Sequence, residues 1–269
     1  MDNGWRMLRI SRWGVYVPRR TVDANGLKLP APSDDEDSIT MAYEASSQLL
    51  GSVENKVGNV VVVSDDIDHV KLGVLLSLLD LSDVSAHLSQ DLIEALTFIN
   101  KIPENEASVL IVVNSSPPAG CITMVFNDTC TQAKVLFLKT LSENLTFTKP
   151  SSTKLNTFID LIHEMLLLRK APKLLSDMLR EISLETSKIS YLAGSAPKLS
   201  YLLKAASRIG LPSKSLTILT RLSATGITGR LLAVMTLLES IKSSSTGDKI
   251  LFVILEESGR FLSSVIEKT

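Results

Sequence analysis

The chain has 269 residues, with 45% apolar and 21% charged residues and a mean hydropathy of +0.22. That is enough for one large domain or two fused half-domains, and it excludes a disordered polypeptide. Lys plus Arg number 28 and Asp plus Glu 29, so the formal net charge of −1 gives no broad attraction for nucleic acid or an anionic membrane and little repulsion against self-association.

The first residues, Met1 to Trp13, hold three arginines and two tryptophans but no apolar core, so they do not read as a signal peptide. No apolar run approaches the roughly 20 residues of a membrane span. Asp34-Asp35-Glu36-Asp37 leads into a helical pattern over Ser38 to Leu50. Acidic side chains suit the positive end of a helix dipole, and Ser33 with Glu36 has the spacing of a capping box. Val60 to Val63 is a continuous β-branched run, as expected of a strand covered on both faces. Asp65, Asp66, Asp68 and His69 follow it. They suggest a cation site at first sight, but turns prefer Asp, and a hard cation wants more oxygen ligands in a defined order, so the plainer reading is a polar strand-to-helix loop. Gln90 to Asn100 places Leu92, Ile93, Leu96 and Ile99 on one helix face.

Ser108 to Val113 is a second strand. Ile122 to Phe126 and Val135 to Leu138 are a third and fourth, and the Asn127-Asp128 turn signal between them predicts a hairpin. The two cysteines, Cys121 and Cys130, lie in or beside these strands. Two are too few for a disulfide framework and form no CxxC metal pair, so a reducing, cytoplasmic compartment is expected. Thr146 to Leu155, with Lys149-Pro150-Ser151-Ser152, is polar and reads as a linker over 146–155 between halves 1–145 and 156–269. Helical patterns follow over Phe158 to Leu168, Pro172 to Ile182, Pro197 to Ile209 and Gly226 to Ile241. Lys249 to Leu255 is a fifth strand after a Gly247-Asp248 turn. Strands alternating with helices predict an α/β fold around a layered sheet.

Two stretches carry a family resemblance. Gly14-Val15-Tyr16-Val17-Pro18-Arg19 and Asp35-Glu36-Asp37-Ser38-Ile39-Thr40-Met41-Ala42 resemble archaeal-type hydroxymethylglutaryl-CoA (HMG-CoA) synthases of the thiolase superfamily, which open with G-V-Y-[IV]-P-R and then D-E-D-[ST]-x-T-x-A. Pro197 to Leu211 resembles the helix after that family's histidine, and Ala233 through Gly247-Asp248-Lys249-Ile250-Leu251 its helix, turn and G-D-R-I-L strand. The resemblance covers most of the chain, with a shortened middle. It implies a thiolase-like fold: two βαβαβαββ halves in a layered α-β-α-β-α arrangement, commonly dimeric.

The resemblance also implies where a site would lie, and every key position is altered. The family's cysteine nucleophile lies in A-C-K-A-G-T opening a buried helix; the matching stretch is Ala86-His87-Leu88-Ser89-Gln90-Asp91, with His87 at the nucleophile. Asp65, or Asp66, stands for the glutamate acid-base, one methylene shorter. Ala193 stands at the histidine, and Arg221 lies in the stretch that should hold the asparagine. Glu256-Glu257-Ser258-Gly259-Arg260 replaces a glycine-rich loop, and Leu88, Gln90 and Arg221 are candidates to fill the former tunnel. Gly194-Ser195-Ala196 lacks the GxSxG pattern of a nucleophile turn. Arg6, Arg9, Arg12, Arg19 and Arg20 make a basic patch that is a solvated face or, by the resemblance, a contact for CoA phosphates.

The expectation is therefore a degenerate, non-catalytic thiolase-like protein, without metal, membrane or nucleic acid. It would act as a homodimer or as a heteromer with a thiolase-fold enzyme, with a zinc-ribbon/OB-fold scaffold protein as a further partner. The alternative is an acyl-CoA-binding protein or weak acyltransferase holding CoA or acyl-CoA through Asp65 and His87.

Overall fold

The computed structural model describes residues 8–24, 26–142, 169–256 and 260–269. Its first half runs β1 (Arg9–Tyr16), a small hairpin of β2 (Thr21–Ala24) and β3 (Leu27–Pro30), α1 (Ser38–Leu50), β4 (Val57–Val63), α2 (His69–Leu78), β5 (Ser85–Ser89), α3 (Leu92–Ile99), β6 (Ala107–Asn114) and β7 (Gly120–Phe126). The second half runs β8 (Ala133–Ser142), α4 (described over 169–181), β9 (Ile189–Ser195), α5 (Leu199–Arg208), α6 (Thr217–Ser223), α7 (Gly229–Ser243), β10 (Lys249–Leu255) and β11 (Arg260–Lys268). Hairpin aside, the first half has the complete βαβαβαββ order. In the second, a 3₁₀ turn (Ser213–Leu216) and α6 stand between α5 and α7 where the repeat has its third strand.

One nine-stranded sheet joins both halves in the order β5-β4-β6-β7-β1-β8-β11-β10-β9. β4 pairs in parallel with β5 and β6, and β9 with β10; the other ladders are antiparallel. The Val60–Val63 run forms the buried end of β4, and its alternation is visible: Val60 and Val62 face the core under α1 and α2, while Val61 and Val63 face the core shared with α3 and α7. Each fully buried Val contributes roughly 1.5–3 kcal/mol, so this short strand anchors both layers. Met41, Ala42 and Ala45 of α1 and Leu72 and Leu75 of α2 close the outer core. α7 packs on β9 and β10 and also on β6 and β7, so it lies in the middle of the α-β-α-β-α arrangement. Gly14 is required on β1 because a methyl there would overlap the Ala45 carbonyl of α1.

Several expectations are corrected. Ile122–Phe126 and Val135–Leu138 are strands but not a hairpin: β1 lies between β7 and β8. Asn127 turns the chain with φ +60°, and its carboxamide oxygen accepts the Arg9 N–H at 3.1 Å. Asp128 is buried and accepts the N–H groups of Glu54 and Asn55 at 3.1 and 3.0 Å. The turn is thus fastened to neighbouring segments rather than folded back on itself. Ser33 and Glu36 do not cap α1. Glu36 accepts the Ser33 N–H at 2.7 Å, but the N-cap is Asp37, which accepts the Thr40 N–H at 2.8 Å. The 146–155 linker and the Phe158–Leu168 helix lie outside the described residues. Among the described residues no helix is long and apolar enough to cross a membrane.

Candidate functional site

In α/β sheets ligands collect beyond the carboxyl ends of parallel strands. A cleft of about 690 Å³ lies there, bounded by Asp65 after β4, Asn114 at the end of β6, Ser195 at the end of β9 and Glu256 after β10. Its floor includes the openings of two helices, with Gln90 and Leu92 before and at the start of α3, and Thr228–Arg230 at the start of α7. Leu199, Leu232, Ile254 and Leu255 supply an apolar wall. The cleft therefore draws on both halves of the chain.

Each polar group is placed by a local cause. Asp91 caps α3 by accepting the Glu94 N–H at 2.9 Å and pairs with Arg260. This holds Gln90 at the mouth of the helix. Gly194, at φ +140°, passes so close to Val253 that a methyl would overlap its carbonyl. Its N–H donates to Thr236 Oγ1 at 2.8 Å, which fixes Ser195 beside α7. The Asn114 amide donates to the carbonyls of Ser116 and Pro118 at 3.0 and 2.8 Å.

The main charged feature joins the halves. Arg230 Nη1 donates to Asp65 Oδ1 at 3.1 Å and to the Gln90 carbonyl at 3.4 Å, and Nη2 donates to Asp65 Oδ2. The Arg230 side chain is 15% exposed and that of Asp65 69%. The cation is therefore nearly enclosed and the carboxylate is not.

The four positions set by the resemblance separate in space. Asp65 lines the cleft. His87 does not: it lies in strand β5, opposite Val61 of β4, not at a helix start. Its ring stacks on Phe98 at 4.7 Å, beside a separate hollow of about 380 Å³. α3 begins five residues further on, at Leu92 behind its N-cap Asp91, and Gln90 and Leu92 are the residues of this opening that line the cleft. Ala193 is buried within β9 opposite Phe252. Arg221 is on α6, 3.7 Å from Glu239, and is not in the cleft. Of the proposed tunnel-filling residues, Gln90 lines the cleft while Leu88 packs toward the outer core.

Neither cysteine reaches the cleft. Cys121 is fully buried on β7, and burial pushes its thiol well above the ordinary range, the wrong direction for a nucleophile. Cys130 is exposed in the turn after β7. Asp65, Asp66, Asp68 and His69 gather no cation site among the described residues; Asp68 instead caps α2, accepting the Lys71 N–H at 2.8 Å. The basic patch is largely neutralised: Arg9 pairs with Glu104, Arg12 with Asp128 and Arg20 with Asp34. Arg6 lies outside the described residues. Sequence reasoning missed Arg230 and Asn114. Arg230 follows a Thr-Gly helix start, but nothing local signals a partner 165 residues away.

No family model matches the chain, and no curated protein matches it. Solved structures do. The acyltransferase ChlB3 aligns over 98% of both chains at 15% identity and TM-score 0.72. The 3-oxoacyl-(acyl carrier protein) synthase III, FabH, of Pseudomonas aeruginosa PAO1 aligns over 98% of both at 13% identity and TM-score 0.75. An HMG-CoA synthase complexed with CoA aligns over 98% of this chain and 83% of that one, at 12% identity and TM-score 0.73. The chain thus has the thiolase-like fold, built around a cleft that contains neither of its cysteines.

Proposed function

We propose that this chain is a non-catalytic thiolase-fold protein that serves as a subunit or partner in an acyl-CoA-processing assembly. One observation carries the reading: the α3 opening presents Gln90, and the nearby carboxylate of Asp65 is engaged by Arg230. Acyl transfer through a covalent intermediate needs an activated nucleophile with a base in reach. A carboxamide is not such a nucleophile, and neither thiol lines the cleft.

Association is a use of the fold that needs no nucleophile. Among the described residues β5 is one edge of the sheet, and its sequence Ser85-Ala86-His87-Leu88-Ser89 has no proline and no lysine or carboxylate to discourage pairing. The helix before it, α2, exposes Val70, Val74 and Leu78 at 76, 46 and 54%. These residues recur every four positions and so form one stripe. An unprotected edge with an apolar stripe suits a protein partner. A second copy and a thiolase-fold enzyme are the first occupants to test, and a zinc-ribbon/OB-fold scaffold is a third.

The test has two arms. Intact-mass analysis after incubation with acetyl-CoA is expected to show no acyl adduct, and native mass spectrometry is expected to show a dimer or a complex with a thiolase-fold enzyme. A covalent adduct on this chain, or a monomer that stays alone beside such enzymes, sinks the reading. The open cleft favours a second reading, an acyl-CoA-binding protein. His87 no longer belongs to it, so calorimetry with CoA and acetoacetyl-CoA should give the same affinity for the native chain and His87→Ala.

A further inference from the structure

The cleft contains a cation whose surroundings specify a ligand class. Arg230 has five N–H donors on a planar guanidinium, and three of them are accounted for by Asp65 and the Gln90 carbonyl. The cation is nearly enclosed, while its carboxylate partner is mostly exposed on the loop after β4. A group this exposed can turn to solvent without opening the core. Asp65 also shows which chemistry fits: a carboxylate meeting the guanidinium two oxygens to two nitrogens. Beyond the pair, Leu92, Leu232, Ile254 and Leu255 offer an apolar surface, Gln90, Ser195 and Ser223 are neutral, and Glu256 is a second carboxylate at the rim, after β10.

We propose that the cleft binds a free carboxylic acid with a short apolar tail. Its carboxylate takes the place of Asp65 on Arg230, and its tail lies against Leu92, Leu232, Ile254 and Leu255. The proposal deepens the non-catalytic reading of the same cleft, because the ligand is an unactivated acid for which no acyl-transfer step is required. Asp65 then acts as a built-in competitor: it holds the arginine in place when the cleft is vacant and swings to solvent when the acid enters. The neighbouring donors at the start of α7 add polarity of the right sign, but the guanidinium carries the specificity.

Isothermal titration of the full chain with hexanoate, hexanamide and 1-hexanol tests this, with circular dichroism to confirm that each variant is folded. Hexanoate should bind, and the two neutral analogues should bind at least about tenfold more weakly, as loss of a charge-assisted contact requires. Arg230→Gln should weaken hexanoate by about tenfold or more. Asp65→Asn should tighten it about two- to fivefold, because the internal competitor loses its charge. Equal binding of hexanoate and hexanamide overturns the proposal, as does an Asp65→Asn chain that binds hexanoate no better than the native one, or absence of hexanoate binding in both. Should Arg230→Gln not fold, the Asp65→Asn and neutral-analogue results decide. All these readouts are binding, so their failure leaves the acyl-adduct test of the non-catalytic reading untouched.

Discussion

The two halves of the chain begin their helices differently. In the first half, α1, α2 and α3 each start behind an aspartate whose side chain accepts a backbone N–H: Asp37, Asp68 and Asp91. In the second, the residues before α5, α6 and α7 are Lys198, Leu216 and Thr228, and none accepts such a bond through its side chain. The difference matters at the cleft, where α3 and α7 both open. The α3 end is closed by the chain's own carboxylate; the α7 end keeps its first donors and its arginine turned to the same space as Asp65. One half spends its acidic groups on local structure, and the other leaves a cationic end without a covalently adjacent anion.

Removing the α3 closure should have the largest effect. Asp91 both caps the helix and pairs with Arg260, so Asp91→Ala is expected to cost about 2 kcal/mol, the sum of a cap and a partly exposed ion pair. A urea titration gives this directly. Asp68→Ala removes a cap alone and should cost about 1 kcal/mol by the same measurement; equal losses for the two would refute the added role of Arg260. Giving the second half a cap should move the other way. Thr228 already has the extended backbone of an N-cap residue (φ −135°, ψ 174°), so Thr228→Asp should stabilise by about 0.5 kcal/mol while weakening hexanoate binding. The smallest effect is a pH dependence at α1. The Thr40 N–H, helped by the Thr40 hydroxyl and opposed by burial, holds the Asp37 carboxyl below the usual carboxylate range. A lowered folded-state value means that this stabilisation is complete above the unfolded pKa of about 3.9 and disappears as pH falls through the folded value. Between pH 5 and pH 2.5, Asp37→Asn should therefore lose less stability than the native chain.

What could be read in advance followed local chemistry. Val60–Val63 is a β-branched run and Ser108–Val113 a mostly β-branched one, and both are buried central strands. The Asp-led helix start at Ser38 and the helical patterns ending at Asn100, Ile209 and Ile241 also match observed helices to within a few residues. Ser85–Ser89 has no β-branched residue; it is a strand only because β4 offers it a parallel register from Asn59 to Val63. The resemblance puts His87 at a helix start, whereas the structure has it within this strand, five residues before α3. The Asn127-Asp128 turn was correctly recognised as a turn, yet the strand that fills its gap arrives from residues 9–16, and no local pattern reveals such an insertion. The same limit applies to the site. Asp65 was legible as a strand-end carboxylate, whereas Arg230 acquires meaning only when folding brings it across the chain to Asp65.

Among the described residues the nine-stranded sheet is narrowest between β1 and β8. Among them, β1 and β8 pair at Arg9 with Lys134 and Ile10 with Ala133, and the Val135 N–H donates to the Leu8 carbonyl at 2.8 Å, whereas β8 and β11 are matched along nearly their whole lengths. The five-stranded and four-stranded blocks are also coupled by what packs against both, α3 and α7. Mechanical coupling across the molecule thus runs through the same two helices whose ends floor the cleft. A molecule lodged there would be felt as a change in how firmly the two blocks grip each other.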